Sequence, residues 1–325
     1  MINSIALYRS VSNDPHYNLA VEQSLLESVE DRCILYLWQN QNTVVIGRNQ
    51  NPWKECRTTL LAEEGGHLAR RLSGGGAVFH DLGNLNFTFL MPQEDYDLGR
   101  QLTVIQEAVR SLGIPAEKSG RNDILAAGRK FSGNAFYKNG RQAYHHGTLL
   151  VDADMGKMSR YLNPSKAKLQ SKGVDSVRSR VVNLKELNPE ITIANLSEAL
   201  EKSFAEIYDL PMQILTDGDL DSARIQELTE RNRSWTWNYG QKIPFTFECE
   251  ERFAWGSLQL QLQIENGVIQ QAKIYSDAMD WALTPDLEKA LKGCRFDRQA
   301  LRQRLTESGS AAADDVYQVL CFYSL

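Results

Sequence analysis

Apolar residues at helical spacing predict two helices in the first third of the chain. After Asp14-Pro15, a typical helix start, apolar residues recur every three or four positions and predict a helix over about 15–30. A second run with this spacing, from Leu102 to Leu112, predicts a helix that ends at Gly113, because glycine is common just beyond a helix C-terminus.

Runs of β-branched and aromatic residues predict strands in the same part of the chain. CILYLW (33–38) and TVVIG (43–47) are two such runs, and the short polar QNQN between them predicts that they pair as a hairpin. NLNFTFL (84–90) alternates along its length, which predicts a half-buried strand. Further strands are predicted from DILAAG (123–128), FSGNAFY (131–137) and QAYHHGTLLV (142–151), with a tight turn at Asn139-Gly140.

The second half of the sequence predicts more helices and then, beyond a boundary, a new set of strands and helices. Helices are predicted near 195–209 and 221–232, and a boundary near 240–246. Beyond it, SLQLQLQIENGVIQQAKIYSD (257–277) predicts a hairpin, followed by helices at 284–292, at 297–307 and toward the C-terminus. We therefore predict an α+β fold. A large domain, residues 1–243, has a mostly antiparallel mixed β-sheet flanked by helices, and residues 244–325 form a small α+β domain.

Composition and charge narrow the possible functions. The 325 residues are 42% hydrophobic and 24% charged, as in ordinary globular proteins, and the net charge of −5 argues against a nucleic-acid partner. No stretch approaches the length of a membrane span, and the first residues do not have the pattern of a signal peptide. Five scattered cysteines without a CxxC pair predict reduced thiols in a cytoplasmic protein, with neither a disulfide framework nor a zinc site.

RRLSGGGAVFHD (70–81) combines positive charge with a run of glycines. Arg70 and Arg71 bring forked donors that suit a carboxylate or a phosphate, and glycines let a ligand approach backbone N–H groups closely. The alternative is a plain flexible turn. The spacing is not that of a P-loop, and a strand rather than a helix follows, so the Rossmann fingerprint is excluded too. The run predicts an anionic ligand in another fold.

SGRNDILAAGRKFSGNAF (119–136) places a lysine between glycines. Lys130, on a predicted strand, can hold a phosphate together with a developing negative oxygen on an acyl group; the alternative is an exposed surface lysine. Asn122-Asp123 can help to hold Mg²⁺ at a polyphosphate, or can form a turn or a cap. The residues alone leave both alternatives open.

Neither the histidine pair nor the cysteines predict a metal site or a nucleophile. Adjacent strand residues such as His145 and His146 point to opposite faces, so we expect them to shape a wall and predict no dedicated metal site. No GxSxG motif occurs, and no cysteine lies between Cys56 and Cys249.

A basic polar segment, 163–184, stands out in an acidic chain. It is either a solvated charged face or a lid that closes over an anionic intermediate and excludes water. Its charged residues include Lys166, Lys168, Lys172, Arg178 and Arg180.

Taken together and in order, these motifs resemble the lipoate–protein ligase A family. The resemblance runs from about residue 15 to 240 and rests on TVVIGRNQNPWKEC, RRLSGGGAVFHDLGNLNFTF, SGRNDI, GRKFSGNAF, HHGTLL and SKGVDSVRSRVVNL. The segment Glu250–Gly256 is similar to the family's accessory domain. One departure is the short ILAAG between Asp123 and Arg129, which predicts a tighter turn with no change in chemistry.

The resemblance implies an ATP-dependent ligase. Such an enzyme activates lipoate to lipoyl-AMP and pyrophosphate, with ATP and Mg²⁺. It then passes the lipoyl group to a lysine of lipoyl-acceptor domains, in 2-oxoacid dehydrogenase complexes and glycine cleavage H protein. Lys130 would be the essential lysine, contacting both the phosphate and the lipoyl carbonyl.

The resemblance also implies further site residues. ATP or adenylate contacts are implied for Arg71, Gly76, Ala77, Val78 and Phe79, and lipoate contacts for Ser73 and Arg71. The resemblance places Asn122 near the site and implies that residues 168–184 form the adenylate-binding loop, and the chemistry of Asn122 and Asp123 predicts that they contact Mg²⁺ or phosphate. Val45, Ile46 and Phe87 are expected to line part of a tunnel for the apolar tail.

Three alternatives remain. An octanoyl or lipoyl transferase of the same superfamily would use a cysteine, and the absence of cysteine from residue 57 to 248 argues against it. A biotin–protein ligase is disfavoured because its arginine- and glycine-rich loop differs from RRLSGGGAVFHD. The third alternative is a non-catalytic protein that binds lipoyl-AMP.

Overall fold

The computed structural model describes residues 2–119, 123–163, 181–240 and 243–324, and the chain forms two units. The first unit comprises Met1–Val45, Trp53–Arg70 and Val78–Asn238, and the second comprises Ile46–Pro52, Arg71–Ala77 and Tyr239–Leu325. The second unit thus includes two short segments that are remote from its main part in the sequence. The division between residues 243 and 244 stays a prediction.

Eight strands form the main sheet of the first unit. They are β1 (Ser4–Arg9), β2 (Arg32–Trp38), β6 (Asn84–Pro92), β7 (Ala116–Ser119), β8 (Asp123–Ala126), β9 (Arg129–Lys138), β10 (Gln142–Leu150) and β11 (Met212–Ile214). Their spatial order is β11-β1-β2-β6-β10-β9-β8-β7. β1 is parallel to β11 and β2, and the other neighbours are antiparallel. The sheet is therefore mixed and mostly antiparallel, as predicted.

Three short strands form a second sheet in the order β4-β3-β5. They are β3 (Thr43–Ile46), β4 (His67–Arg70) and β5 (Val78–His80). The predicted hairpin of β2 with β3 is wrong, because β2 lies between β1 and β6 and both of its edges are already paired.

Helices connect these strands. Among the described residues up to 240 they are α1 (Pro15–Ser28), α2 (Pro52–Glu55), α3 (Thr58–Glu63), α4 (Leu98–Ser111), α5 (Met155–Tyr161), α6 (Leu184–Leu187), α7 (Ile193–Tyr208), α8 (Ser222–Arg233) and α9 (Trp235–Tyr239). α1 begins as predicted, since the Asp14 side chain accepts a hydrogen bond from His16 N–H. α4 and α7 contribute to one buried core with a single face of the sheet, and Phe87, Phe89 and Phe204 lie in it.

The C-terminal part of the second unit is a sheet with helices. Its strands, in the antiparallel order β12-β13-β14, are β12 (Phe247–Phe253), β13 (Gly256–Glu265) and β14 (Val268–Tyr275), and its helices are α10 (Leu283–Leu291), α11 (Arg298–Glu307) and α12 (Ala313–Ser324). Asn266 and Gly267 have φ of 50° and 74° in the predicted hairpin turn. The predicted α+β fold is confirmed. Among the described residues no helix is both long and apolar enough to cross a membrane.

Candidate functional site

Lys130 lies on β9 beside an irregularity in its pairing with β8. Ile124 pairs with Ser132 and Leu125 pairs with Lys130, so Phe131 is the extra residue of a β-bulge. Phe131 is fully buried in the core, whereas the Lys130 side chain is 35% exposed. The bulge therefore separates an apolar neighbour from the lysine that the sequence singled out.

The ammonium of Lys130 is held by groups from neighbouring strands. Its Nζ lies 2.6 Å from Asp123 Oδ1 on β8. Its Cε and Nζ lie over Gly133, where a Cβ would be 3.1 Å from both atoms and 3.8 Å from Thr148 Oγ1 of β10. Any larger residue at Gly133 would crowd the lysine, so glycine gives the ammonium its place on the sheet.

The turn before Lys130 and the chain that returns to it are both short. Ala127 and Gly128, with φ of 50° and 71°, form the tight turn that the short ILAAG predicts. Val182 N–H donates to the Lys130 carbonyl oxygen at 3.0 Å, so the end of the basic segment joins β9 beside the lysine. The predicted lid residues Lys166, Lys168, Lys172, Arg178 and Arg180 lie outside the described residues, as does Asn122.

A buried carboxylate from α1 organises the sheet face that carries Lys130. Glu22 is 2% exposed; its Oε1 accepts from Thr88 Oγ1 at 2.7 Å and lies 2.8 Å from His146 Nδ1. Trp38 Nε1 donates to Thr88 Oγ1 at 3.1 Å. These bonds fix the orientation of the Trp38 ring. The sequence analysis missed Glu22, and its signal was a single carboxylate inside the apolar run LAVEQSLL.

His145 and His146 point to opposite faces of β10, as predicted. His145 is buried in the core, stacked on Phe89 at 6.0 Å, and its Nε2 lies 2.9 Å from Asn134 Oδ1. Burial lowers the pKa of His145 to about 3, with a smaller effect of His146, so the ring is neutral and Nε2–H donates to Asn134. In the described part of the chain, no group of three or more His, Cys, Asp and Glu could hold a metal ion.

Phe87 was expected to line a tunnel with Val45 and Ile46, and for Phe87 this expectation is wrong. Phe87 pairs with Gly147 on β10, whereas the next residue, Thr148, is the one beside Lys130. Since neighbours along a strand alternate, Phe87 points into the core and away from the lysine.

Arg71 and Ser73 lie together in the second unit, with Gly76 and Ala77. Arg71 Nη2 donates to the carbonyl oxygens of Gly74 and Gly76, both at 2.8 Å, and its Nε donates to Ser73 Oγ at 3.0 Å. The side chain is buried. Arg71 therefore fixes the shape of the segment Arg71–Ala77, which we call the glycine-rich segment.

The three glycines of this segment differ in what surrounds them. A Cβ on Gly74 would lie 2.3 Å from the carbonyl oxygen of Ala278 and 2.4 Å from that of Met279. Gly75 has φ of 89° and donates its N–H to Ala278 O at 3.0 Å. A Cβ on Gly76 would meet no described atom within 4 Å. Packing in the second unit thus accounts for Gly74 and Gly75, whereas Gly76 faces open space.

Val78 and Phe79 lie on β5, at the edge of the small sheet. They pair with Val45 and Val44 of β3, and the Phe79 ring is buried against Tyr161 at 5.5 Å. The edge of β5 that faces β3 and the Phe79 side chain therefore take part in the packing of the sheet. The contact of Val78 and Phe79 with the nucleotide stays a prediction.

Arg70 makes hydrogen bonds within the first unit. Its Nε donates to Trp237 O at 2.9 Å and its Nη2 to Asn238 O at 2.5 Å, while Trp237 Nε1 donates to Arg70 O at 2.9 Å. The sequence predicted that the Arg70 guanidinium donates to an anion. In the structure it donates to carbonyl oxygens near the end of α9 in the first unit.

Two family domains match the chain. The lipoyl protein ligase A/B catalytic domain matches residues 14–205. The chain belongs to the lipoyl protein ligase A/B family. The bacterial lipoate protein ligase C-terminus matches residues 242–313, so this member of the family also carries the accessory region that its sequence suggested.

Three solved structures are among those similar to this family member. P. falciparum LipL1 in complex with lipoate is 29% identical, with a TM-score of 0.85 over 97% of this chain and 98% of that one. The bipartite lipoate protein ligase of Thermoplasma acidophilum, described with its E2 lipoyl domain, is 26% identical, with a TM-score of 0.65 over 76% of this chain and 100% of that one. A lipoate-protein ligase A bound with ATP is 25% identical, with a TM-score of 0.63 over 74% and 99%.

Proposed function

We propose that the protein is a lipoate–protein ligase. It converts lipoate and ATP to lipoyl-AMP and pyrophosphate, and transfers the lipoyl group to a lysine of lipoyl-acceptor domains. The observation that carries the proposal is Lys130, whose ammonium is held 2.6 Å from Asp123 and over Gly133 on a partly exposed face. The similarity to LipL1 in complex with lipoate over 97% of this chain supports it.

The first step brings two anions together. A carboxylate oxygen of lipoate attacks the α-phosphorus of ATP, and the bond from that phosphorus to the oxygen bridging to the β-phosphate breaks, so pyrophosphate leaves with the electron pair. Negative charge on the phosphate oxygens must be stabilised by donors already in place. Lys130 supplies such donors once the anions replace Asp123 as its partner. The contact of the Gly76 and Ala77 backbone with the nucleotide stays a prediction.

Mg²⁺ would neutralise charge on the phosphates of ATP. Asp123 can supply a carboxylate oxygen beside Lys130, and one carboxylate with phosphate oxygens and water is a usual Mg²⁺ environment.

The second step needs no nucleophile from the enzyme. The amine of the acceptor lysine attacks the acyl carbonyl carbon of lipoyl-AMP, the bond from that carbon to the phosphate oxygen breaks, AMP leaves, and the nitrogen releases a proton. Lys130 donates to the carbonyl oxygen as negative charge develops there. The acceptors would be the lipoyl domains of 2-oxoacid dehydrogenase complexes and glycine cleavage H protein.

The cysteines favour a ligase over the transferase alternative. A transferase that passes an acyl group through cysteine needs an accessible thiolate. Burial raises the pKa of Cys33 and of Cys56 to about 12, that of Cys249 to about 11, and that of Cys294 above its usual value, so these four thiols stay protonated. Cys321, on α12, is partly exposed.

Isotope exchange between pyrophosphate and ATP tests the proposal. We expect exchange that depends on lipoate in the absence of an acceptor, followed by lipoylation when an apo-lipoyl domain is added. If an acyl-carrier substrate donates its acyl group while exchange is absent, the transferase alternative holds. Tight binding of lipoyl-AMP with neither reaction would identify a non-catalytic binding protein.

A further inference from the structure

Five residues of the main sheet form one row across five strands, on the face that carries Lys130. The row runs Trp38 (β2), Asn86 (β6), Thr148 (β10), Gly133 (β9) and Asp123 (β8), each directly opposite the next in antiparallel register. Residues directly opposite each other share a face of the sheet. Lys130 lies over the Gly133 end of this row and contacts Asp123.

Asn86 is buried in this row, and of its two side-chain amide atoms only the oxygen is hydrogen-bonded to a described residue. It is 1% exposed, and its Oδ1 accepts from Asn84 Nδ2 at 2.9 Å. Its Nδ2 has no hydrogen-bond partner among the described residues. Burying a donor without an acceptor costs roughly 1–3 kcal/mol, so an acceptor supplied by a bound molecule along this row would recover that cost.

The position of Asn86 matches the far end of a short acyl chain. Asn86 is two strands from Gly133, and neighbouring strands are about 4.8 Å apart, so the two residues are separated by about 10 Å across the sheet. If the acyl carbonyl meets Lys130 and the chain follows the row, its far end reaches Asn86. Lipoate differs from octanoate in the dithiolane ring at that end.

Sulfur can accept from an amide, and this chain contains an example. Gln101 Nε2 donates to the Met91 Sδ at 3.0 Å in the core of the first unit. Thioether sulfur is a weak acceptor, but it satisfies a buried amide donor when nothing better is near.

We propose that Asn86 is a specificity-determining residue whose Nδ2 donates to a dithiolane sulfur of lipoate. This inference rests on the proposed function and adds the basis of its choice of acid. With octanoate the Nδ2 stays buried without an acceptor, and a site built around a donor disfavours a ligand that offers none. Because sulfur is a weak acceptor, the expected contribution to the preference is roughly five- to tenfold.

Asn86→Leu tests the assignment, since it removes the donor with little change in volume. We expect the ratio of kcat/KM for lipoate to that for octanoate, measured by pyrophosphate exchange, to fall roughly five- to tenfold through a higher KM for lipoate. Gln101→Leu is the matched control: it also removes a buried amide, but on the core side, and should leave the ratio unchanged. Equal losses for both acids in Asn86→Leu would overturn the assignment.

Asn86→Ala is the second variant, in case the leucine does not fit, and the same fall in ratio is expected. Calorimetric titration with lipoate and with octanoate, without ATP, separates this inference from the proposed function. A wild-type preference for lipoate that is lost in the Asn86 variants supports the assignment even if exchange is absent, and absent exchange would overturn only the ligase proposal. Active exchange with an unchanged ratio would overturn only the role of Asn86.

Discussion

The region around Lys130 and the glycine-rich segment Arg71–Ala77 offer donors to a ligand in different ways. Lys130 owes its place to strand register, because β8, β9 and β10 bring Asp123, Gly133 and Thr148 beside it. The glycine-rich segment owes its shape to a few bonds to carbonyl oxygens, made by the Arg71 guanidinium and by Gly75 N–H. The lysine is therefore positioned by the pairing of strands, whereas the segment is shaped by a small number of local hydrogen bonds.

The largest expected effect on activity is that of a substitution at Lys130. Lys130→Ala should reduce lipoyl-AMP formation by roughly 10²–10³-fold or more, because it removes the donor to charge developing in the transition state, while the fold stays intact. Arg129→Ala is the control, since Arg129 is next to Lys130 in the sequence and makes an exposed ion pair with Glu186, which is of little energetic value. Adenylate formation near the normal rate in Lys130→Ala would refute the role assigned to the lysine.

Low pH should lower the free energy of unfolding through His145, which lies on β10 of the main sheet. The pKa of this histidine is about 3 in the folded protein and near 6.5 when unfolded. Between these values the unfolded state binds the extra proton. The free energy of unfolding should therefore decrease by about 1.4 kcal/mol per pH unit as the pH falls from 6.5 toward 3, and this contribution is fully present above 6.5.

Urea unfolding of the wild type and of His145→Phe over this pH range measures that contribution. The variant should show a shallower decrease, with the difference between the two curves largest at the acid end. Parallel curves would mean that His145 does not carry the acid sensitivity.

In the glycine-rich segment, Gly74→Ala should lower the stability of the second unit. The added Cβ would meet the carbonyl oxygens of Ala278 and Met279 at 2.3 and 2.4 Å, so the backbone must shift. We expect a loss of roughly 1–3 kcal/mol in the free energy of unfolding, measured by urea titration. Unchanged stability would show that the segment is not held by these carbonyl groups.

Gly76→Ala should have the smallest effect on stability and a distinct effect on function. A Cβ there meets no described atom within 4 Å, so the free energy of unfolding should change by less than about 0.5 kcal/mol. If the nucleotide approaches this backbone, the KM for ATP in pyrophosphate exchange should rise roughly threefold or more, about 0.6 kcal/mol of binding. A KM equal to that of the wild type would remove Gly76 from the nucleotide site.

Local patterns in the sequence were sufficient for most elements and for Lys130. The helix after Asp14-Pro15 and the hairpin turn at Asn266-Gly267 follow from residues close in sequence, and the structure confirms both. The lysine was found because glycines flank it, and the structure shows that Gly133 makes room for its side chain.

Pairing over long distances was not accessible in the same way. The partner of β2 is β6, more than forty residues further on, so the local hairpin signal of QNQN was misleading. β6 is buried along nearly its whole length, where alternation predicted one exposed face, because Asn84, Asn86 and Thr88 are buried polar residues. The sequence predicted that Arg71 binds an anion. In the structure its guanidinium donates to carbonyl oxygens of its own segment, which the sequence pattern did not indicate.

Direct detection of the acyl-adenylate tests the central claim. The protein is incubated with lipoate, ATP and Mg²⁺ without an acceptor, and the products are separated and identified by mass spectrometry. The account predicts lipoyl-AMP and an equal amount of pyrophosphate with the wild type, and formation of both slowed by roughly 10²–10³-fold or more in Lys130→Ala. Lipoylation of an apo-lipoyl domain from an acyl-carrier donor, without ATP and with no lipoyl-AMP detectable, would contradict it.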